Sequence, residues 1–330
     1  MTTAAAVTDP REGHVRVRGV EVFVRERGDG LPLLMINGLG GNADMWGATE
    51  ERLAGVARTI VFDSPGTGRS QTPLWPPTIS SLAQLAAALV ADLGYEQVDV
   101  IGFSLGGLIA QQLAHEAPAR VRRMALVATA CGWGSMPGTL DSLTLLTMPL
   151  RYYSRFLYET TNCLHSSADA DLLRRLPALV DSRLRQPPPL GPYLAHLWAG
   201  ALWSSLPWLP SVRTPTLVVH GAADRLVPPA NAIQLARLLP DSRVHVIDGE
   251  GHLLVFDPDG AAAPLLEDFF SSPVAEESTA WRDGAIVDDD ATVEAAFSVS
   301  EGATPHRELS AMFRRFVKHA YPNGSGRNGT

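Results

Sequence analysis

The 330-residue chain lacks the features that mark several protein classes. It has only two cysteines, Cys131 and Cys163, so no disulfide framework is expected. Residues 1–13 lack the basic start and apolar core of a signal peptide, and no apolar run approaches the ~20 residues of a membrane span. These absences predict a cytoplasmic protein with no transmembrane segment.

Excess positive charge and metal-binding motifs are lacking as well. A net charge of −8 at pH 7 argues against a nucleic-acid partner, because the phosphate backbone attracts basic surfaces. No two histidines have the His-x-x-x-His or His-Glu-x-x-His spacing that places two metal ligands on one helical face. We therefore expect neither a nucleic-acid partner nor a bound metal.

What the chain does have is a regular alternation of short apolar runs with helix-like segments. The runs predict strands at residues 15–18, 20–27, 33–36, 59–62, 98–101, 123–128, 215–221 and 244–247, and helices are predicted at 43–53, 80–93 and 108–116. This alternation predicts an α/β fold with a mostly parallel sheet that helices cover on both faces. Ligands are then expected beyond the C-terminal ends of the strands.

A serine stands between one of these strands and a helix-like segment. Residues 102–106 read Gly-Phe-Ser-Leu-Gly, with a glycine two positions before and two after Ser104. Such glycines leave room for a tight turn that forces the serine into a sparsely allowed backbone conformation at the start of a helix. The pattern predicts a nucleophile elbow, and the alternative is an ordinary glycine-rich turn.

A serine hydroxyl becomes a nucleophile only when a histidine takes its proton and a carboxylate orients that histidine. Asp224 follows the strand at 215–221 and His252 follows the strand at 244–247, so both lie on loops at C-terminal strand ends. We predict Ser104, Asp224 and His252 as a catalytic triad.

Other residues compete for these roles. Asp224 is alternatively a turn residue or a helix cap, in which case Asp248 or Glu250 would serve as the acid. His220 lies inside a strand and is expected to be a packed or hydrogen-bonded core residue.

Acyl transfer also requires donors for an oxyanion. The apolar strand at 33–36 ends in a glycine-rich loop, Asn37-Gly38-Leu39-Gly40-Gly41-Asn42, whose amides can turn toward the serine. The backbone N–H groups of Leu39 and Leu105 are the predicted oxyanion donors. The alternatives are a turn without a ligand, or a phosphate site, although the loop lacks the Gly-x-x-x-x-Gly-Lys-Ser/Thr pattern.

Together these motifs resemble the α/β-hydrolase superfamily over residues 15–270. The resemblance is carried by the elbow, the Asn37-Gly38 loop, a turn at 63–66, Asp224 and His252. More narrowly, residues 32–42, 197–205 and 248–254 are similar to the intracellular medium-chain-length polyhydroxyalkanoate depolymerases. Asn37 matters most, because most members of the superfamily have His before that glycine and these depolymerases have Asn.

That resemblance implies an α/β-hydrolase fold and a serine hydrolase that cleaves 3-hydroxyacyl ester bonds of a storage polyester without any cofactor. The chain departs from the family in having Leu105 after the nucleophile, where Trp is common. The same triad also serves lipases, carboxylesterases, carbon-carbon bond hydrolases and acyltransferases, so these remain alternatives. A non-catalytic binding protein is a further alternative, against which the intact triad counts.

We expect three parts in the chain. Residues 1–130 and 214–272 form the hydrolase core, and residues 131–213 form an inserted cap, because they are too long for a structureless connection. The cap is rich in aromatic residues, so Trp198 and Trp203, with Asn37 and Gly38 of the core, are predicted to contact an apolar acyl chain. The alternative is that the aromatic residues form the core of the cap itself.

Residues 273–330 are expected to be an acidic linker followed by a basic amphipathic helix at 305–320. Apolar and basic residues fall on opposite faces of that helix, a pattern typical of surface-binding helices. The hypothesis is that it docks on a hydrophobic granule or a lipid surface. The alternative is that it packs back onto the hydrolase domain.

Overall fold

A computed structural model describes residues 10–289, 291–293 and 295, except for the side chains of residues 162–165. Strands β1 to β8 lie, in chain order, at Arg11–Val17, Val20–Arg27, Pro32–Ile36, Arg58–Phe62, Val98–Phe103, Val121–Val127, Thr216–Gly221 and Ser242–Ile247. Helices α1 to α11 lie at Gly47–Leu53, Ile79–Asp92, Leu105–Glu116, Leu140–Leu146, Arg155–His165, Ser167–Arg175, Pro177–Arg185, Leu190–Ala201, Ala230–Leu238, Ala262–Ser271 and Thr279–Arg282. None of the helices described is long and apolar enough to cross a bilayer.

The strands form one sheet in the order β1-β2-β4-β3-β5-β6-β7-β8. The pairs β1/β2 and β2/β4 are antiparallel, whereas all pairs from β4 onward in this order are parallel. Parallel strands point the same way, so β3, β5, β7 and β8 all end at one edge of the sheet. The predicted mostly parallel sheet with flanking helices is confirmed.

The central strands of the sheet bury their side chains on both faces. In β3, Leu34 and Ile36 belong to one apolar cluster and Leu33 and Met35 to another, and all four are fully buried. Successive strand residues point to opposite faces, so this division follows from the pleat. The two packed faces leave the loops at the C-terminal edge as the place where polar side chains can gather.

The turn between β5 and α3 is crowded on every side. Ser104 has φ 53° and ψ −118°, a backbone conformation that costs on the order of 1–3 kcal/mol for a residue with a side chain. A Cβ on Gly102 would lie 2.6 Å from the Gly106 carbonyl oxygen, and one on Gly106 would lie 2.2 Å from the Ile36 carbonyl oxygen. The two glycines therefore let α3 begin at Leu105, directly against the end of β3.

Residues 131–213, which we call the cap segment, join β6 to β7 and contain α4 to α8. Helix α8 packs on α3 so closely that a Cβ on Gly200 would lie 2.8 Å from Leu105 Cδ1. The Tyr152 ring lies 5.7 Å from the Tyr158 ring and 5.6 Å from the Tyr193 ring, and all three are buried. Part of the aromatic content of the segment thus forms an internal core.

Residues 272–289, which follow α10, pack on the domain and do not form the solvated linker that their acidic composition predicts. Trp281 is 3% exposed and stacks on Phe269 of α10, and Ala285 forms a β-bridge with Val244 of β8. The acidic side chains of this segment are exposed around that apolar anchor. The helix expected at 305–320 lies outside the described residues.

Replacing Gly106 with alanine tests the crowding at the turn. The added methyl group would lie 2.2 Å from the Ile36 carbonyl oxygen, so α3 has to move away from β3. We expect Gly106→Ala to lower the free energy of unfolding by at least about 2 kcal/mol in urea denaturation.

Gly191→Ala is the matched control, because a Cβ at this position in α8 would meet nothing within 4 Å. Alanine is the better helix former, so the control should be as stable as the parent or more stable by up to about 1 kcal/mol. Equal stability of the two alanine variants would contradict the steric argument.

Candidate active site

Loops at the C-terminal edge of the sheet bring Ser104, Asp224 and His252 into one hydrogen-bonded chain. His252 Nδ1 lies 2.7 Å from Asp224 Oδ2, and His252 Nε2 lies 3.2 Å from Ser104 Oγ. An ionised carboxylate can only accept, so Nδ1–H donates to Asp224 and Nε2 is left to accept the serine O–H. Of the three candidate acids, Asp224 contacts the ring, whereas Asp248 and Glu250 make no hydrogen bond with His252 in the part of the chain described.

The Asp224 carboxylate is buried and held on several sides. Its Oδ1 accepts from the amides of Leu226 at 2.9 Å and Val227 at 2.8 Å. His220 Nε2 lies 3.4 Å from Oδ2 and 2.7 Å from the Val227 carbonyl oxygen. His220 is fully buried in β7, as its place inside a strand predicts, and it also supports the carboxylate.

Burial and charge act in opposite directions on this pair. Burial alone would raise the pKa of Asp224, but His252 and His220 hold it below its usual range. Burial would lower the pKa of His252, yet the Asp224 carboxylate and then Asp169 raise it above its ordinary value. The arrangement therefore favours a charged carboxylate beside an imidazole that readily holds a proton. Within the described residues, no group of three or more His, Cys, Asp or Glu side chains is arranged to hold a metal ion.

Asp169 is a residue of this site that motif reasoning missed. It lies on α6 of the cap segment and is 3% exposed, and its Oδ1 and Oδ2 accept from the amides of Leu253 at 2.8 Å and His252 at 3.2 Å. A Cβ on Gly251 would lie 2.4 Å from Oδ1, so glycine leaves space for the carboxylate. Burial raises the pKa of Asp169 to about 6, against the lowering influence of His252. A single aspartate 83 positions from His252 carries no motif by which sequence could have found it.

The amides predicted as oxyanion donors belong to two loops that meet at Ser104. Leu105 is the first residue of α3, and Leu39 lines the same cleft as Ser104. A Cβ on Gly38 would lie 3.1 Å from Ser104 Cβ, which shows how closely the first loop approaches. Neither the Leu39 nor the Leu105 amide donates a hydrogen bond to another described residue, so both can serve a ligand atom.

The Asn37 side chain bonds within its own loop, whereas the prediction from the sequence is that it contacts an acyl chain. Its Nδ2 donates to the Asn42 carbonyl oxygen at 2.7 Å, and its Oδ1 accepts from the Gly38 amide at 2.8 Å. Asn37 is 5% exposed, so its polar atoms are used to shape the loop. Gly38, the neighbouring residue, does line the cleft.

The two tryptophans expected at the substrate lie elsewhere. Trp198 is 62% exposed, because it is two positions from Gly200 on α8 and so points away from the face that packs on α3. Trp203 Nε1 donates to Gln112 Oε1 of α3 at 2.5 Å. The apolar and aromatic lining of the cleft comes instead from other residues, which include Met45, Leu146, Tyr152, Tyr158, Leu226 and Leu253.

Comparison with known proteins defines the class of this chain. Residues 32–259 match the family model described as alpha/beta hydrolase fold, and the chain belongs to that family. The enol-lactonase from Burkholderia xenovorans LB400 has the same fold, with a TM-score of 0.68 and 23% identity over 79% of this chain and 100% of that one. A thermophilic esterase from Thermogutta terrifontis gives a TM-score of 0.65 and 24% identity over 78% of this chain and 97% of that one.

Within the family, the chain is similar to the poly(3-hydroxyalkanoate) depolymerase of Ectopseudomonas oleovorans. The two are 36% identical over 242 residues, which are 72% of this chain and 83% of the relative. The 2-hydroxy-6-oxo-2,4-heptadienoate hydrolase of Pseudomonas putida is 27% identical over 267 residues, 77% of this chain and 94% of that relative. The resemblance to α/β hydrolases, and among them to the depolymerases, is confirmed.

Asp169→Asn tests the electrostatic contact between the cap segment and His252. Removal of the negative charge should lower the pKa of His252, since that carboxylate helps to raise it. NMR titration of the imidazole should show the ring losing its proton at a lower pH than in the parent protein. The amide NH2 would also face a backbone N–H, so we expect a loss of about 1–3 kcal/mol in the free energy of unfolding.

Asp171→Asn is the control, because Asp171 is exposed on the same helix and, among the described residues, pairs only with Arg174. It removes the same charge away from the imidazole and should leave the pKa of His252 unchanged. An unaltered His252 titration in Asp169→Asn would show that the buried carboxylate exerts no field on the ring.

Proposed function

We propose that this chain is a serine hydrolase of carboxylic esters whose substrate is a 3-hydroxyacyl polyester. The observation that carries the proposal is the hydrogen-bonded chain from Ser104 through His252 to Asp224, in a cleft beside two amides that donate to no other described residue. The substrate class is supported by the 36% identity to a poly(3-hydroxyalkanoate) depolymerase.

In the proposed acylation step, His252 Nε2 takes the proton of Ser104 as Oγ attacks the ester carbonyl carbon. The Leu39 and Leu105 amides then hold the tetrahedral oxyanion, a contribution typically worth about 3 kcal/mol for each donor. Asp224 keeps the imidazole in the tautomer with the proton on Nδ1 and stabilises the imidazolium. Collapse of the intermediate breaks the ester C–O bond, and His252 gives its proton to the departing alcohol.

Deacylation repeats these roles with water as the nucleophile. His252 takes a proton from water, the hydroxide attacks the acyl-enzyme carbonyl, and the proton returns to Ser104 as the carboxylic acid is released. One water is consumed for each ester bond, and the sequence of steps requires neither a metal nor an organic cofactor.

The cleft lining supports an apolar acyl group. Met45, Leu146 and Leu253 come from three different parts of the chain and line the same cleft as Ser104. Apolar walls with a few polar groups at the reacting atoms are typical of small-molecule sites. In this proposal these residues contact the acyl chain, and Trp198 and Trp203 do not.

Hydrolysis by Ser104→Ala and by its parent tests the proposal. The parent should release 3-hydroxy acids from amorphous medium-chain polyhydroxyalkanoate granules and should hydrolyse p-nitrophenyl acyl esters. Loss of the nucleophile should lower both rates by at least about a thousandfold. A fluorophosphonate should label the parent stoichiometrically at Ser104.

Ser211→Ala is the control serine variant, because Ser211 is exposed and its hydroxyl bonds only to the nearby Trp208 carbonyl oxygen. It should keep both activities. Activity confined to soluble esters would contradict the polyester substrate and indicate a carboxylesterase. Absence of fluorophosphonate labelling would indicate a binding protein on a hydrolase scaffold.

A further inference from the structure

Two guanidinium groups line the same cleft as Ser104. Arg151 lies on the 3₁₀ helix Pro149–Tyr153 and Arg183 on α7, and they are only 6% and 5% exposed. Taking a cation this far out of water costs several kcal/mol unless an anion compensates it. The mechanism proposed above gives neither arginine a role.

Arg183 lacks such an anion in the described part of the protein. Its Nη2 donates to the Leu39 carbonyl oxygen at 2.8 Å, and its Nη1 lies 3.0 Å from the Met45 sulfur, a weak acceptor. Its Nε is buried and has no acceptor among the described residues, where no ion pair joins this guanidinium to a carboxylate. The group therefore keeps donor capacity and a full charge inside the cleft.

Tyr152 contacts both cations. The Arg183 guanidinium carbon is 4.3 Å from the centre of the Tyr152 ring, and Arg151 Nη2 donates to the Tyr152 hydroxyl at 2.8 Å. Burial would raise the pKa of Tyr152, but Arg151 and then Arg183 lower it below its ordinary value. The two arginines thus create a positive potential at the Tyr152 hydroxyl.

The acidic groups of the cleft are engaged elsewhere. Asp169 directs one oxygen to the Leu253 amide and the other to the His252 amide. Asp224 is held by His252 and by backbone amides of its own loop. Neither carboxylate comes within 4 Å of Arg183, so the space next to this guanidinium suits an anion that arrives with the substrate.

We propose that Arg183 binds a carboxylate of the substrate, and that the enzyme therefore cleaves the ester bond next to the free carboxyl end of a 3-hydroxyacyl chain. This inference rests on the proposed function, because it concerns which ester is presented to Ser104. The planar guanidinium fork matches a carboxylate in charge and geometry.

The chemistry of the chain end fits a cleft that holds both groups. In a 3-hydroxyacyl chain, only the C2 and C3 carbons separate the terminal carboxylate from the last ester oxygen. In this proposal a carboxylate held by Arg183 places the last ester carbonyl at Ser104, because both residues line the same cleft. Cleavage transfers the remaining acyl chain to Oγ and releases one 3-hydroxy acid, whose new hydroxyl receives its proton from His252. Water then frees the shortened chain, which again ends in a carboxylate.

The test compares the linear dimer of 3-hydroxyoctanoate, with a free carboxylate, and the methyl ester of the same dimer. At a pH where the carboxylate is ionised, kcat/KM of the parent for cleavage of the internal ester should be at least about tenfold higher for the free acid. Arg183→Gln should reduce this ratio to about one, whatever its effect on the absolute rates. Arg183→Lys keeps the charge but loses the planar guanidinium group. Its kcat/KM ratio should fall between that of the parent and that of Arg183→Gln.

Arg185→Gln is the matched control, because Arg185 is exposed on the same helix and its loss should leave the ratio as in the parent. A parent enzyme that cleaves both dimers equally well, or prefers the methyl ester, would overturn the inference even if Arg183→Gln does not fold. Hydrolysis of p-nitrophenyl octanoate that depends on Ser104 is measured in parallel. If this hydrolysis is present but the free acid is not preferred, only the carboxylate site at Arg183 is wrong. If this hydrolysis is absent, the proposed function is overturned.

Discussion

The approach of α3 to the end of β3 is the constraint on which the site depends. Space for a side chain is missing at Gly102 and Gly106, and Ser104 between them takes a strained backbone conformation. The turn is held in place because the Ser104 amide donates to the Val127 carbonyl oxygen at 3.0 Å and Thr129 Oγ1 donates to the Ser104 carbonyl oxygen at 2.7 Å. The packed sheet thereby supports strain that a free loop would relax, and it keeps the hydroxyl and the first helical amide in fixed positions.

The cap segment contributes side chains that hold the loops of the site in position. Asp169 of α6 holds the loop that carries His252 through two backbone amides, and Arg183 of α7 holds the Leu39 carbonyl oxygen on the opposite loop. Each contact ties a cap helix to a loop at the C-terminal edge of the sheet. The position of the imidazole and of the Leu39 amide therefore depends on how the cap segment packs.

Sequence spacing predicts those features of the structure that depend on neighbouring residues alone. The elbow, the strands and the order of serine, acid and histidine all follow from spacing, because turns and alternating apolar residues obey short-range sterics. The start of α3 was expected at Leu108 and is at Leu105, since the glycines that usually mark a loop here lie inside the helix. The acidic composition of residues 272–289 predicts a solvated linker, but it hides one large apolar residue, Trp281, that anchors them on the domain.

Side-chain direction and long-range pairing were decided by tertiary structure. Asn37 bonds within its own loop, and Trp198 points to solvent because only one face of α8 meets α3. Asp169 and Arg183 reach the site through the packing of the cap segment, which no spacing rule encodes. By itself, the sequence determined the class of fold and identified the three residues of the proposed triad, since their places depend on local turns at strand ends. Only the tertiary structure decided which groups surround them, because contacts between distant segments depend on how whole elements pack.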